Sequence, residues 1–234
     1  MTRLRTSSIG SADALAAAAE SLARRCDVMA ALYRANGPPP IRDIRPDFSG
    51  LTQIICGQQV SAASAASIWR RVATGLSPLN AAAVRATTDA NLAALGLSRP
   101  KIRTLKMLAE AVESGALDIR ALNRSSDEAV FAQLTALHGI GPWTADIYLL
   151  FALKRPDAFP AGDLALQLAA GRLLADQQRL AAPVLLEIAE RWRPLRAIAA
   201  RMLWDDYGRQ RTTKTGTPAA PRIAKAPARR NTRN

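Results

Sequence analysis

Cysteine is almost missing from this 234-residue chain: Cys26 and Cys56 are the only two, too few for a disulfide framework or a four-cysteine iron–sulfur site. Reduced thiols are the matching expectation. Histidine occurs once, at His138, so no histidine cluster is available to ligate a metal. No apolar run approaches the roughly 20 residues that span a bilayer, and the first residues lack the apolar stretch of a secretory signal. Alternation of apolar and polar residues, the mark of a half-buried strand, is also missing, so the fold class we expect is all-α. Together these absences argue against a secreted, disulfide-built or membrane-spanning protein, and we expect a cytoplasmic one with no membrane partner.

Acidic residues are scarce as well. The 32 Lys and Arg against 19 Asp and Glu leave a net charge of +13, with a pI near 11.0. Such a balance points to an anionic partner, nucleic acid or an acidic membrane surface. Seven of the positive charges lie between Arg211 and Arg233, in a stretch without Asp or Glu. Removing those seven from +13 still leaves +6, so the body of the chain is basic in its own right. Residues 211–234 are rich in Thr, Pro, Ala, Lys and Arg without apolar period, and read as a disordered basic tail. The apolar fraction, 49%, is that of a chain able to bury a core.

Along the chain, Leu15, Ala19, Leu22, Cys26, Met29 and Tyr33 recur at steps of three and four, predicting one long amphipathic helix from a cap at Ser11. Gly37 and Pro38-Pro39-Pro40 end it, and an extended linker runs to about Pro46. The apolar helix after Phe48 should stop at Gly57, leaving Gln58 and Gln59 at a joint before Ser61 caps the next helix. Adjacent glutamines there can be ordinary polar joint residues or can reach into a groove. Short helices near 79–85 and 89–95 precede one capped by Ser98, with Ile102, Leu105, Ala109 and Val112 on its core face and Lys101, Arg103 and Lys106 on a basic face. Ser125 or Ser126 opens a helix that feeds Leu137-His138-Gly139-Ile140-Gly141-Pro142-Trp143-Thr144-Ala145. Further helices start at Asp163 and cover roughly 182–192 and 194–208.

The segment from Leu137 to Ala145 reads as a tight hairpin between helices. Gly139 and Gly141 permit positive φ and remove side chains that would block a ligand from the backbone, and Pro142 suits the first helical position. A helix N-terminus with free amides beside bare backbone is suited to holding phosphate.

Five landmarks in order, Gly57-Gln58-Gln59-Val60-Ser61, Gly96-Leu97-Ser98 followed by Lys101, the hairpin, Asp163, and Arg191-Trp192-Arg193-Pro194 with Trp204, resemble the helix-hairpin-helix (HhH-GPD) DNA glycosylase superfamily, most nearly its 3-methyladenine DNA glycosylase II type. The resemblance covers roughly residues 11–208. It implies a glycosylase unit over residues 1–210 with two lobes, one of about 11–45 plus 163–210 and one of about 46–162, and a DNA cleft between them. It implies a partner, double-stranded DNA containing damaged bases, from which the damaged nucleotide is flipped before its N-glycosidic bond is hydrolysed. We expect a monomer associated with the nucleoid.

The resemblance assigns roles. Asp163, which by spacing alone is a helix N-cap, becomes the catalytic carboxylate facing the cationic sugar of the transition state, where it can orient or deprotonate water. Trp143 and Trp204, otherwise core aromatics, would line the base pocket with Ile147 one turn beyond Trp143. Gln59, with Gln58 beside it, would fill the duplex gap left by the flipped nucleotide. The hairpin at His138, Gly139, Ile140 and Gly141, with Thr144, would hold phosphate. Carbonyls at Thr135, Leu137 and Ile140 would hold a monovalent cation, Na or K, in a structural role, with no other cofactor required and no iron–sulfur cluster. Trp143 stands where bifunctional relatives carry a nucleophilic lysine, which implies a monofunctional enzyme without AP-lyase activity, leaving an abasic site. Two other readings remain: a non-catalytic hairpin protein that only binds DNA, and a glycosylase of the same fold for deaminated or oxidised bases.

Overall fold

The computed structural model describes residues 9–175 and 178–215. Its first two helices, α1 (Ala12–Ala23) and α2 (Asp27–Asn36), replace the single helix expected from periodicity. The chain turns at Arg24-Arg25-Cys26, where the Arg25 N–H bonds the Leu22 carbonyl at 3.0 Å. No Gly or Pro marks the break. Its physical reason is burial: a straight helix would carry Met29 and Leu32 away from the core, whereas the turn packs them, with Leu15, Ala19 and Leu22, below 9% exposure.

Thirteen helices in all, with a π-helical and a 3-10 segment, make up the described chain. After the linker come α3 (Phe48–Gly57), α4 (Ala62–Gly75), α5 (Ala81–Ala86) and α6 (Asp89–Ala94). Then follow α7 (Arg99–Glu113), α8 (Ile119–Leu122), α9 (Asp127–Thr135) and α10 (Pro142–Ile147), the last running into the π-helical segment Tyr148–Ala152. The chain closes with α11 (Leu164–Leu174), α12 (Ala182–Ala189), the 3-10 turn Glu190–Trp192 and α13 (Arg196–Thr215). Among the described residues no strand occurs, and no helix is long and apolar enough to cross a membrane.

Polar caps set most of the starts: Ser11, Asp47, Ser61, Asn80, Thr88, Ser126 and Asp163 each accept a backbone N–H from the first turn. Ser98 occupies the cap position of α7 without making that bond. The expected basic face of α7 is largely turned inward. Lys101 is 8% exposed and its Nζ donates to the Cys56 carbonyl at 2.8 Å, while Lys106 Nζ donates to the Arg85 and Thr87 carbonyls at 3.0 and 2.5 Å. Both lysines therefore satisfy orphan carbonyls at the ends of α3 and α5, where a cation also meets the negative end of the helix.

Two groups of helices pack around the hairpin and the Asp163 turn. Helices α1, α2, α11 and α13 lie against one another, and α3 packs with α4, α7, α10 and the π segment, with α9 against α10. The buried side chains of both groups form one continuous cluster. Helix α13 extends to Thr215, so residues 211–215 of the expected tail are helical, and the rest of that tail lies outside the described residues.

Candidate active site

Thr135 is the last residue of α9, and the chain reverses over the next six residues before Pro142 opens α10 at its first position. The two hairpin glycines have different jobs. Gly139 sits at φ +79°, and a Cβ there would fall 1.9 Å from Thr104 Oγ1, so only glycine fits. Gly141 has φ −91° and nothing within 4 Å of a Cβ: the expected positive φ is absent, and the space above it is open. Within the described residues no acceptor meets the N–H groups of Gly139, Gly141 and Trp143, whereas the Ile140 N–H bonds the Leu137 carbonyl at 3.1 Å. The free amides and exposed His138 border a groove lined also by Met107, Thr135 and Leu137. Within the described residues the carbonyls of Thr135 and Ile140 accept no hydrogen bond, and that of Leu137 accepts only the Ile140 N–H. They remain able to coordinate a cation.

Thr144 departs from its expected place. It is 2% exposed and its hydroxyl accepts from Gln58 Nε2 at 2.9 Å, so it braces the hairpin from inside and is unavailable to phosphate. Gln58 Nε2 also donates to the Gly139 carbonyl at 3.1 Å. The two glutamines are thereby separated: Gln58 is tied to the hairpin, and Gln59 stands exposed at φ +54°. Val60 beside it is 40% exposed. A non-glycine residue held in the left-handed region at an exposed tip is a local cost that packing elsewhere must offset.

Asp163 begins α11 and keeps its capping role, accepting the Leu166 N–H on Oδ1 at 3.0 Å. The same oxygen accepts Trp204 Nε1 at 2.9 Å, and Oδ2 accepts Trp143 Nε1 at 2.9 Å. Three N–H donors on one half-buried carboxylate hold it in a single orientation. The turn before it is locked. The Asp163 N–H bonds the Pro160 carbonyl at 2.8 Å, and buried Gln167 donates Nε2 to the Ala161 carbonyl at 2.9 Å. Further back, Asp157 accepts from Arg196 Nε and Nη2, each at 3.0 Å, and from Arg193 Nη1 at 2.6 Å. These bonds fasten the Asp163 loop to the start of α13, the helix that carries Trp204.

Trp204 stacks on Phe151, with ring centroids 5.6 Å apart and planes 24° from parallel. Arg201 lies over Phe151 with Cζ 4.5 Å from the centroid, and Arg42 reaches to 6.0 Å. Pro40, Arg42, Phe151, Arg201, Trp204 and Asp205 line one pocket. Burial pushes the Arg201 pKa down to about 10, with Arg42 adding to the fall. Ile147, expected in the base pocket, is 7% exposed and sits in the core instead, because α10 turns that face toward buried side chains. Phe151 takes the aromatic place, and no sequence signal marks it: the π-helical segment, with five consecutive buried residues, shifts the side-chain register away from the helical period. Arg42 and Arg201 carry no sequence signal either, since one falls in the linker and the other within a helix.

On α10, Asp146 carries no hydrogen bond within the described residues, and burial raises its carboxyl pKa to about 7, with Arg196 opposing the rise.

A family model for "HhH-GPD superfamily base excision DNA repair protein" matches residues 52–194. The chain is 36% identical over 103 residues to a putative DNA-3-methyladenine glycosylase, YfjP, of Bacillus subtilis, a match covering 44% of this chain and 34% of that protein. It is 36% identical over 112 residues to DNA-3-methyladenine glycosylase 1 of Schizosaccharomyces pombe, covering 47% of this chain and 49% of the relative. The matches thus span half or less of these relatives. Among solved structures, the Schizosaccharomyces pombe 3-methyladenine DNA glycosylase in complex with abasic DNA superposes with a TM-score of 0.76 at 26% identity, covering 87% of this chain and all of that one. The hairpin, the Asp163 turn and helices α4 to α12 fall inside the matched family segment, and the chain belongs to the HhH-GPD superfamily of base excision DNA repair proteins.

Proposed function

We propose that this protein is a monofunctional DNA glycosylase that flips alkylated purines of the 3-methyladenine type out of duplex DNA and hydrolyses their N-glycosidic bond. One observation carries the reading: the Asp163 carboxylate is held by two indole N–H groups and a backbone amide beside an aromatic pocket. An N-cap requires only the Leu166 N–H, and the two further indole donors are what distinguish this carboxylate from a cap. Its relatives, glycosylases for 3-methyladenine and one bound to abasic DNA, support the same substrate class.

In this mechanism the C1′–N bond breaks and its electron pair leaves with the base. An alkylated cationic base departs neutral, so no protonating acid is required. The positive charge that develops on the sugar faces the Asp163 carboxylate, which stabilises it and takes a proton from the water that adds at C1′. The indole of Trp143 occupies the position of a lyase lysine, so no Schiff base forms and the product is an abasic site. Gln59 enters the gap left in the duplex, hydrogen-bonding the orphaned partner base. The amides of Gly139 and Gly141 hold a phosphate, aided by a monovalent cation on the carbonyls of Thr135, Leu137 and Ile140.

The test is a base-release assay on duplexes bearing single alkylated, deaminated or oxidised bases, run beside Asp163→Asn and with borohydride present. Release of alkylated purines by the wild type, none by the variant and no trapped adduct is the expected result. Release of oxidised bases alone, or a covalent adduct, would overturn it.

A further inference from the structure

Helix α7 runs beside both elements that the proposed complex sets against DNA. Near its start, Lys101 Nζ reaches the carbonyl of Cys56, three residues before Gln59, at 2.8 Å. One turn on, Thr104 packs so closely on the hairpin that a Cβ on Gly139 would fall 1.9 Å from its hydroxyl. Met107, 40% exposed, then lines the hairpin groove. The inward face of these first turns is thus used up in joining the Gln59 turn to the hairpin.

The outward face keeps the cations that packing does not consume. Lys101 and Lys106 spend their ammonium groups on backbone carbonyls. Arg99 and Arg103 are exposed, and within the described residues no hydrogen bond or ion pair engages either guanidinium. The two stand one helical turn apart, about 6 Å along the axis. No acid precedes Glu110 on α7, and Glu110 is itself met by Arg85 Nη1 at 3.5 Å. An unpaired guanidinium in water costs little, so exposure by itself names no partner. Position does: this strip borders the hairpin groove on one side and the Gln59 turn at its end.

We infer that Arg99 and Arg103 hold duplex phosphate groups, giving α7 a backbone grip additional to that of the hairpin. This rests on the DNA partner of the reading above and is independent of the role of Asp163. The planar fork of a guanidinium matches two phosphate oxygens at once. The two grips differ in kind. Hairpin amides are neutral, so they fix register and displace few counterions, whereas each arginine neutralises a phosphate and releases the ions condensed on it. The strip therefore supplies salt-sensitive strength where the hairpin supplies position.

The experiment titrates the full chain with a short undamaged duplex over a range of salt, for the wild type, Arg99→Gln, Arg103→Gln, the double variant and Arg103→Lys, with melting temperatures as a folding control. The slope of log Kd against log salt should flatten by about 0.9 for each arginine removed, and lysine, which keeps the charge, should retain the wild-type slope. Arg34→Gln, on α2 in the other helix group, controls for net charge and should leave the slope unchanged. With a duplex carrying 7-methylguanine, the double variant should keep the saturating single-turnover rate while its half-saturating concentration rises in step with Kd. Unchanged slopes at 99 and 103, or an equal flattening by Arg34→Gln, would overturn the inference. So would a saturating rate that falls at constant Kd, which assigns the arginines to the chemistry. A wild type that binds duplex and releases no base removes the proposed function, while the slopes still decide the role of α7. A wild type that binds no duplex removes both.

Discussion

Trp143 and Trp204 give their indole N–H groups to opposite oxygens of one carboxylate, each at 2.9 Å from Asp163. An asparagine at 163 still caps α11, so the fold survives. Its amide must, however, turn one NH2 group toward an indole N–H, and it carries no charge for the sugar cation. Asp163→Asn should bind duplex DNA with near wild-type affinity while base release slows by about 100-fold or more. Fluorescence anisotropy and single-turnover release separate the two, and excision at the wild-type rate would remove Asp163 from the chemistry.

The hairpin glycines predict opposite outcomes for the same substitution. Gly139→Ala forces φ +79° on alanine and places Cβ 1.9 Å from Thr104 Oγ1, a loss of about 2–4 kcal/mol in stability. Gly141→Ala meets open space at an ordinary φ, so stability should change by less than about 1 kcal/mol. Its methyl stands over the free amides instead, and DNA affinity should fall by about tenfold. Thermal melts and binding titrations of both variants check this; undiminished binding by Gly141→Ala would move the phosphate site elsewhere.

Asp146 ties stability to pH. Its carboxyl titrates near pH 7 in the folded chain, because burial outweighs the opposing pull of Arg196, against an ordinary 3.8. Between those two values the folded state holds a proton that the unfolded state has released, so stability drops as pH rises through the window. Asp146→Asn cannot ionise and escapes the loss. The variant should gain on the order of 1–3 kcal/mol over the wild type at pH 8, with the gain shrinking toward pH 4.5. Chemical denaturation at both pH values measures it, and a difference independent of pH contradicts the assignment.

Truncation after Thr215 leaves α13 whole and removes Arg222, Lys225, Arg229, Arg230 and Arg233. The slope of log Kd against log salt should flatten by about 0.9 for each phosphate that these side chains neutralise. An identical slope would show that these five charges do not touch DNA.

The hairpin, Asp163 and both tryptophans are legible in the sequence because each is a local signal whose order along the chain is informative: a glycine pair before a proline, an acidic cap, two indoles. The all-helical class follows from periodicity alone. What escapes depends on packing between residues distant in sequence. The turn at Arg24-Arg25-Cys26 has no breaker residue and exists because both halves pack on the core. Lys101 has the pattern of a surface charge, and only the end of α3 lying beside it accounts for its burial. Phe151, and not Ile147, reaches the pocket because a π-helical segment changes register without a sequence mark, and Arg42 reaches it only through the course of its linker.

Gln58 links the turn that carries Gln59 to the hairpin through two hydrogen bonds from a single amide nitrogen. In the proposed complex the interval between the gripped phosphate and the vacated stack is then set by the protein, like the gap of a caliper, and does not adjust to the sequence beneath it. With that interval fixed, the phosphate held in that proposed complex would decide which nucleotide is presented to Asp163.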